Sequence, residues 1–234
     1  MIFRQLFDKE SSTYTYLVGD PRSGECALID PVVEHVERDL KLIGELGLRL
    51  TAVLDTHVHA DHITGAATLR ERTGARTHLS AQGGAPCADV ALIDGNTIAV
   101  GTLTIRALGT PGHTNGCMSY FVEDGDVRVV MTGDALLIRG CGRTDFQEGN
   151  SAELWRSVND KLFALPDDTF VYPAHDYKGQ TASTIGEEKK FNPRLGATMT
   201  LAAFVAFMKK LELSPPSKIH EALPANLACG RRAP

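Results

Sequence analysis

The sequence has no Cys-x-x-Cys pair, no apolar run of the roughly 18 residues that would suggest a membrane span, and no Gly-x-Gly-x-x-Gly loop. Each absence removes a class of protein. Five cysteines, Cys26, Cys87, Cys117, Cys141 and Cys229, are odd in number and scattered. They predict reduced thiols, not a disulfide framework or a Cys-rich zinc site. Without a nucleotide loop, there is no local signal for a dinucleotide cofactor. A net charge of −5 gives no electrostatic reason for nucleic acid or an anionic membrane to be the main partner. The opening Met1-Ile2-Phe3-Arg4 lacks a signal peptide's layout, so the expected location is cytoplasmic. No repeat, low-complexity tract or linker divides the 234 residues, which are enough to bury one large core. The chain is therefore read as a single domain, 1–234, with a short helical C-terminal extension from about 180.

What the chain does have is Thr56-His57-Val58-His59-Ala60-Asp61-His62. Four metal-binding side chains fall within six residues, directly after the apolar run Leu50-Thr51-Ala52-Val53-Leu54. Polar groups crowded at the end of a buried strand are costly unless something satisfies them, and a bound cation does so.

Around this turn the pattern is of strands ending in chemistry. Thr13 to Val18 and Glu25 to Ile29 alternate as a hairpin with one buried face. From Val33 to Leu46 apolar residues recur every three or four positions, a helix ended by Gly47. Thr64 to Arg72 reads as a helix, and Arg76 to Leu79 as a short strand. Two further hairpins run from Ile98 to Leu108 and from Met118 to Met131, the first leading to Pro111-Gly112-His113-Thr114 and the second to Thr132-Gly133-Asp134. A helix with a Ser151 N-cap spans Ser151 to Leu165. Phe170-Val171-Tyr172 is a last strand before Pro173-Ala174-His175. Helices near Thr184 to Lys190 and Met199 to Leu211 precede a Pro-interrupted tail. Since His57, His113 and Asp134 each follow a strand, the loops that carry them are expected to converge at one rim of two packed sheets with helices outside.

These four motifs, in this order and spacing, resemble the metallo-β-lactamase superfamily. The resemblance covers about residues 12 to 178 and implies an α/β fold, an αββα sandwich of two mixed sheets with helices on the outer faces. A finer likeness is carried by Ala135 to Phe146, by His175-Asp176-Tyr177, by Asn192-Pro193-Arg194-Leu195 and by Pro224 to Gly230. Those segments are similar to the persulfide dioxygenases nearly end to end. That resemblance implies one ferrous ion per chain, Fe(2+), held by His57, His113 and Asp134. Such a facial set of two imidazoles and one carboxylate leaves about three positions open on an octahedral iron.

The implied reaction is oxidation of glutathione persulfide by O2 to sulfite and glutathione. His59, Asp61, His62 and His175 are expected to orient the ligands and move protons, with His175 a candidate catalytic base. Arg143 and Tyr177 are the first candidates for holding glutathione, with Asn192 and Arg194 behind them. The family resemblance also implies a homodimer, and a separate sulfurtransferase as persulfide supplier. The competing reading is a two-metal thioester hydrolase of the glyoxalase II kind, in which His59, Asp61, His62 and His175 help complete a second metal site.

Overall fold

The computed structural model describes residues 1–231. Two six-stranded sheets face each other. In the first, β1 (Ile2–Phe7), β2 (Tyr14–Asp20), β3 (Glu25–Ile29), β4 (Arg49–Leu54), β5 (Arg76–Ser80) and β6 (Val90–Leu92) are hydrogen-bonded in chain order. In the second, β7 (Thr97–Val100), β8 (Leu103–Gly109), β9 (Met118–Asp124), β10 (Val127–Gly133), β11 (Phe170–Pro173) and β12 (Ser183–Thr184) are neighbours in the same way. Parallel pairing joins β3 with β4, β4 with β5, β5 with β6 and β10 with β11, while the other neighbours are antiparallel. Both sheets are therefore mixed, as expected.

Side-chain alternation explains the layers. Tyr14, Tyr16 and Val18 of β2 point between the sheets and meet Ile105, Tyr120 and Met131 of the second sheet. Leu17 of β2 points the other way, into a cluster with Val36, Ile43, Ala66 and Leu69. These come from the helices α1 (Val36–Glu45) and α2 (Ala66–Thr73), which cover the first sheet. The hairpin of β2 and β3 was expected to have one buried face; helical cover buries all of β2 instead. Across the second sheet lie α3 (Ser151–Arg156), α4 (Ile185–Phe191) and α5 (Leu201–Met208), packed through Leu154, Ile185 and Phe204 on Val130 and Val171. The order is αββα.

Several local expectations change. β1 was not anticipated, and neither were the short edge strands β6 and β12, because too few alternating residues mark them. Asn150, not Ser151, caps α3: its side chain accepts from the amides of Ala152 and Glu153. That helix then widens into a π turn at Ser157–Leu162. The C-terminal tail forms α6 (Ile219–Leu227) in spite of Pro224 within it. Cys87 and Cys229, expected as free thiols, are joined in a disulfide across 142 residues, whereas Cys26, Cys117 and Cys141 are free and buried. Spacing rules failed here because the two cysteines meet only through the packing of α6. Among the described residues no helix is long and apolar enough to cross a membrane.

Asp20, at the end of β2, ties the two sheets together at the edge opposite the metal motifs. Its buried carboxylate accepts from the Thr102 amide at 2.7 Å and the Arg22 amide at 3.0 Å. The Thr102 amide, helped by Arg22, outweighs burial and holds the carboxyl well below the usual aspartate range. A carboxyl with a depressed native pKa stabilises the fold above its unfolded pKa, near pH 4, and that contribution is lost as pH falls through the native value. Asp20→Ala should thus be less stable than wild type at pH 7, and urea-unfolding stabilities of the two should converge as pH drops towards 2. Parallel curves across that range would remove Asp20 from the acid response.

Candidate metal centre

Four strand ends meet at one rim. β4 ends at Leu54 and releases the turn to His57; β8, β10 and β11 end before His113, Asp134 and His175. The Met118 amide donates to the Thr56 carbonyl at 2.8 Å, so the two sheets are stitched together beside the metal turn. Ala174 bonds to Gly133 at 3.0 Å, which sets His175 next to Asp134. Gly133 has φ of 54°, and a Cβ there would come within 2.9 Å of the Thr56 side chain. Gly142 is equally constrained, since a Cβ would lie 2.6 Å from the Asp134 carbonyl and 2.9 Å from His113 Nδ1.

The hydrogen bonds determine which nitrogen each ligand offers. Thr56 Oγ1 donates to Asp30 Oδ2 at 2.9 Å and lies 3.0 Å from His57 Nδ1. With its proton spent on Asp30, the hydroxyl accepts from Nδ1, which leaves the lone pair of His57 on Nε2. His113 Nδ1 lies 2.7 Å from the Arg143 carbonyl, which only accepts, so His113 also presents Nε2. That nitrogen is 3.4 Å from Asp134 Oδ2. Donor atoms of His57, His113 and Asp134 all fall within 4.8 Å of one another.

Electrostatics suit a cation. Burial, reinforced by His59 and His113, pushes the His57 pKa well down and keeps the ring neutral. Burial alone would raise Asp134, yet His175, His113 and His57 outweigh it and hold the carboxylate ionised. Asp134 Oδ1, His59 Nδ1 and His62 Nε2 are buried without any hydrogen-bond partner. Orphaned polar atoms cost free energy in the interior, and a positive ion beside Asp134 removes that cost for its free oxygen. The residues fit a metal.

His59, Asp61 and His62 form a second cluster of the same dimensions. His59 Nε2 is bound to Asp30 Oδ1 at 3.0 Å, and His62 Nδ1 to Asp61 Oδ2 at 3.0 Å. His175 stands between the clusters, its Nε2 3.6 Å from Asp61 and 3.7 Å from Asp134. Burial would lower its pKa, but Asp134 and Asp61 prevail and raise it above the ordinary value.

A cavity of about 680 Å³ opens on His57, His113, Asp134, Asp61 and His175; His59 and His62 do not line it. Arg143 forms part of its wall, with Nε and Nη2 paired to Asp145 and with Nη1 and Nη2 donating to the carbonyls of Ser214 and Leu213. Tyr177 is 72% exposed and stacks on His175 at 6.0 Å. Arg194 lines the cavity, donates to the Cys141 carbonyl at 3.1 Å and lies over Phe207. Asn192 stands behind the wall: it is buried, donates to Gly140 and Glu188, and accepts from the amides of Arg194 and Leu195. No local pattern in the sequence marks the supporting roles of Asp30, Thr56 and Asn226. Asp30-Pro31 looked like an ordinary turn, and only the parallel pairing of β3 with β4 brings its carboxylate to the metal turn.

Fold and rim together define a protein of the metallo-β-lactamase fold: the Metallo-beta-lactamase superfamily profile matches residues 8–175, and the chain belongs to that superfamily. The mitochondrial persulfide dioxygenase ETHE1 of Homo sapiens is 48% identical, covering 100% of this chain and 91% of the relative. A crystal structure of ETHE1 from Myxococcus xanthus superposes with a TM-score of 0.94 at 54% identity, covering 99% of this chain and 100% of that one. Within the superfamily, the chain belongs to the persulfide dioxygenase family. A hydroxyacylglutathione hydrolase of Cereibacter sphaeroides is more distant, 34% identical over 92% of this chain and 82% of the relative.

Because Asp30 holds Thr56 through both backbone and side chain and also fixes His59, its loss should loosen the whole turn. Asp30→Ala is expected to weaken metal affinity by about 10–100-fold, the usual effect of losing a partner behind the ligands, in competition titrations with a chelator. Wild-type affinity would show that the turn holds its shape unaided.

Proposed function

We propose that the chain is a mononuclear non-haem iron dioxygenase that oxidises glutathione persulfide. The observation that carries this reading is the end-to-end match to proteins named persulfide dioxygenase, joined to a facial ligand set opening on a cavity. His57, His113 and Asp134 would hold one ferrous ion. When bound, it supplies an oxygen-reactive centre with open positions for the terminal sulfur and O2. One persulfide, one O2 and one water give glutathione, sulfite and two protons; the sulfur loses four electrons and O2 gains four. No further reductant enters.

The chain's own residues set up that reaction. His57 and His113 are held in one tautomer by Thr56 and the Arg143 carbonyl. His175, placed between Asp61 and Asp134 at the cavity, is suited to carry a proton away from the substrate. Glutathione has two carboxylates, and two cavity cations, Lys178 and Arg194, have no carboxylate partner among the described residues. Arg143 adds one unspent N–H on Nη1, and Tyr177 offers its hydroxyl at the mouth. Asn192 acts in this reading by shaping the Leu137–Gly140 loop. Asp61, His59 and His62 orient the ligands, which agrees with both histidines lying outside the cavity. A homodimer, a separate sulfurtransferase as supplier and a cytoplasmic location complete the proposal; the similar bovine, human and mouse proteins are named mitochondrial.

A second reading rests on His59, Asp61 and His62, whose spacing suits another ion, and on the hydrolase relative. It is a two-metal hydrolase of glutathione thioesters. Anaerobic purification separates the two: one iron per chain with sulfite release and O2 uptake on glutathione persulfide supports the first, while two zinc ions and S-lactoylglutathione cleavage overturn it. Arg194→Ala and Arg143→Ala should each raise KM for glutathione persulfide by roughly tenfold or more, the scale of one lost charged hydrogen bond, with metal content held. Unchanged KM in either variant strikes that arginine from the binding site.

A further inference from the structure

The metal turn is held from a second side by a part of the chain far from it in sequence. Asn226, 4% exposed near the end of α6, donates through Nδ2 to the carbonyls of His59 at 2.9 Å and His62 at 2.8 Å. Its Oδ1 accepts from the Thr64 amide at 2.9 Å. One side chain thus satisfies three backbone groups of the His59 to Thr64 turn, a segment that has no regular secondary structure of its own to satisfy them.

The helix carrying Asn226 has a small footing. Ala222 and Ala225 touch Ile63, and Val33 packs beside them. Three residues beyond Asn226, Cys229 adopts φ of 58°, its carbonyl accepts from the Ala67 amide at 3.1 Å, and its sulfur is joined to Cys87 in the segment between β5 and β6. Gly230 then passes so close to Thr64 that a Cβ would meet its carbonyl at 2.2 Å. The covalent bond therefore sits at the end of α6 where Asn226 reaches the turn, and it ties a thinly packed helix to the body of the first sheet.

We propose that Asn226 is a positioning residue for the metal-binding turn and that the Cys87–Cys229 disulfide is a redox latch that keeps it seated. Glutathione opens the latch. Its thiolate attacks the sulfur of Cys87, the more exposed of the pair, and Cys229 leaves as a thiolate that takes up a proton. A second glutathione thiolate then displaces Cys87 and forms oxidised glutathione, so two electrons pass from two glutathiones to the two cysteines. Oxidised glutathione reverses both steps. With the cross-link gone, the end of α6 opens more often, because the open form is no longer tethered. Each opening frees the carbonyls of His59 and His62 and the amide of Thr64.

The test is amide hydrogen exchange on the metal-free full chain, which depends on neither the identity of the metal nor the substrate. Mass spectrometry of the native chain should first show the Cys87–Cys229 pair; free thiols at both positions in oxidised protein overturn the latch. Reduction is expected to speed exchange of the Thr64 amide by about tenfold or more while β2 and β9 amides hold their rates. Cys87→Ser should match the reduced wild type and ignore reductant. Asn226→Ala should speed Thr64 in both redox states and, in the iron-loaded chain, hasten release of ferrous ion to a chelator by about 10–100-fold. Asn226→Asp keeps the acceptor for Thr64 but lacks the donors, so it should protect Thr64 and still release iron faster. That variant decides the role of Asn226 if the alanine variant does not fold. Equal Thr64 rates in oxidised and reduced wild type overturn the latch, and wild-type iron release from Asn226→Asp overturns the positioning role.

Discussion

The metal centre depends on a buried carboxylate gripping a turn. β3 and β4 run parallel as neighbours, so the residue after one strand lies beside the residues after the other. Asp30 occupies that place with φ of 51°, its amide donating to the Leu54 carbonyl at 2.9 Å. From there its two oxygens reach the Thr56 amide, the Thr56 hydroxyl and the His59 ring. The consequence passes down a short chain. A hydroxyl committed to Asp30 can only accept from His57, and a histidine that donates through Nδ1 presents Nε2 to a metal. One buried carboxyl group thereby decides the orientation of two histidines.

The sandwich supplies what that grip needs. Helices on both outer faces make β2, β3, β4 and β10 largely buried strands, and their C-terminal ends place polar groups out of water. Both sheets contribute at the same rim: His57 comes from the first, and His113, Asp134 and His175 from the second. The floor of the cavity is thus built from the seam between two layers, while its wall, with Arg143 and Arg194, comes from the loops that follow β10 and α4. Asp30 holds the turn from inside the first sheet. Asn226 holds it from outside.

Much of this was legible in the chain itself. Runs such as Leu50 to Leu54 and Met118 to Val122 alternate or stay apolar over a strand's length, so the strands carrying the motifs could be placed, and with them His57, His113, Asp134 and His175. Edge strands were less visible: β6 has three residues and β12 two, too short for a period to register. The start of α3 at Ser151 was legible but its cap was misplaced by one residue, because Asn150 and Ser151 are both good caps, and only the geometry shows which side chain turns back onto the amides.

By itself, the sequence determined the donor types, their order and their position at strand ends, because these are local facts written in residue identity and periodicity. Tertiary structure alone decided that Asp30 supports the turn, that His59 and His62 lie outside the cavity, that Arg143 is already engaged by Asp145, and that Cys87 meets Cys229. Asn226 lies 167 residues from the His59 carbonyl it satisfies. A contact of that span leaves no repeating mark in either segment, and it exists only once two sheets and a terminal helix have packed.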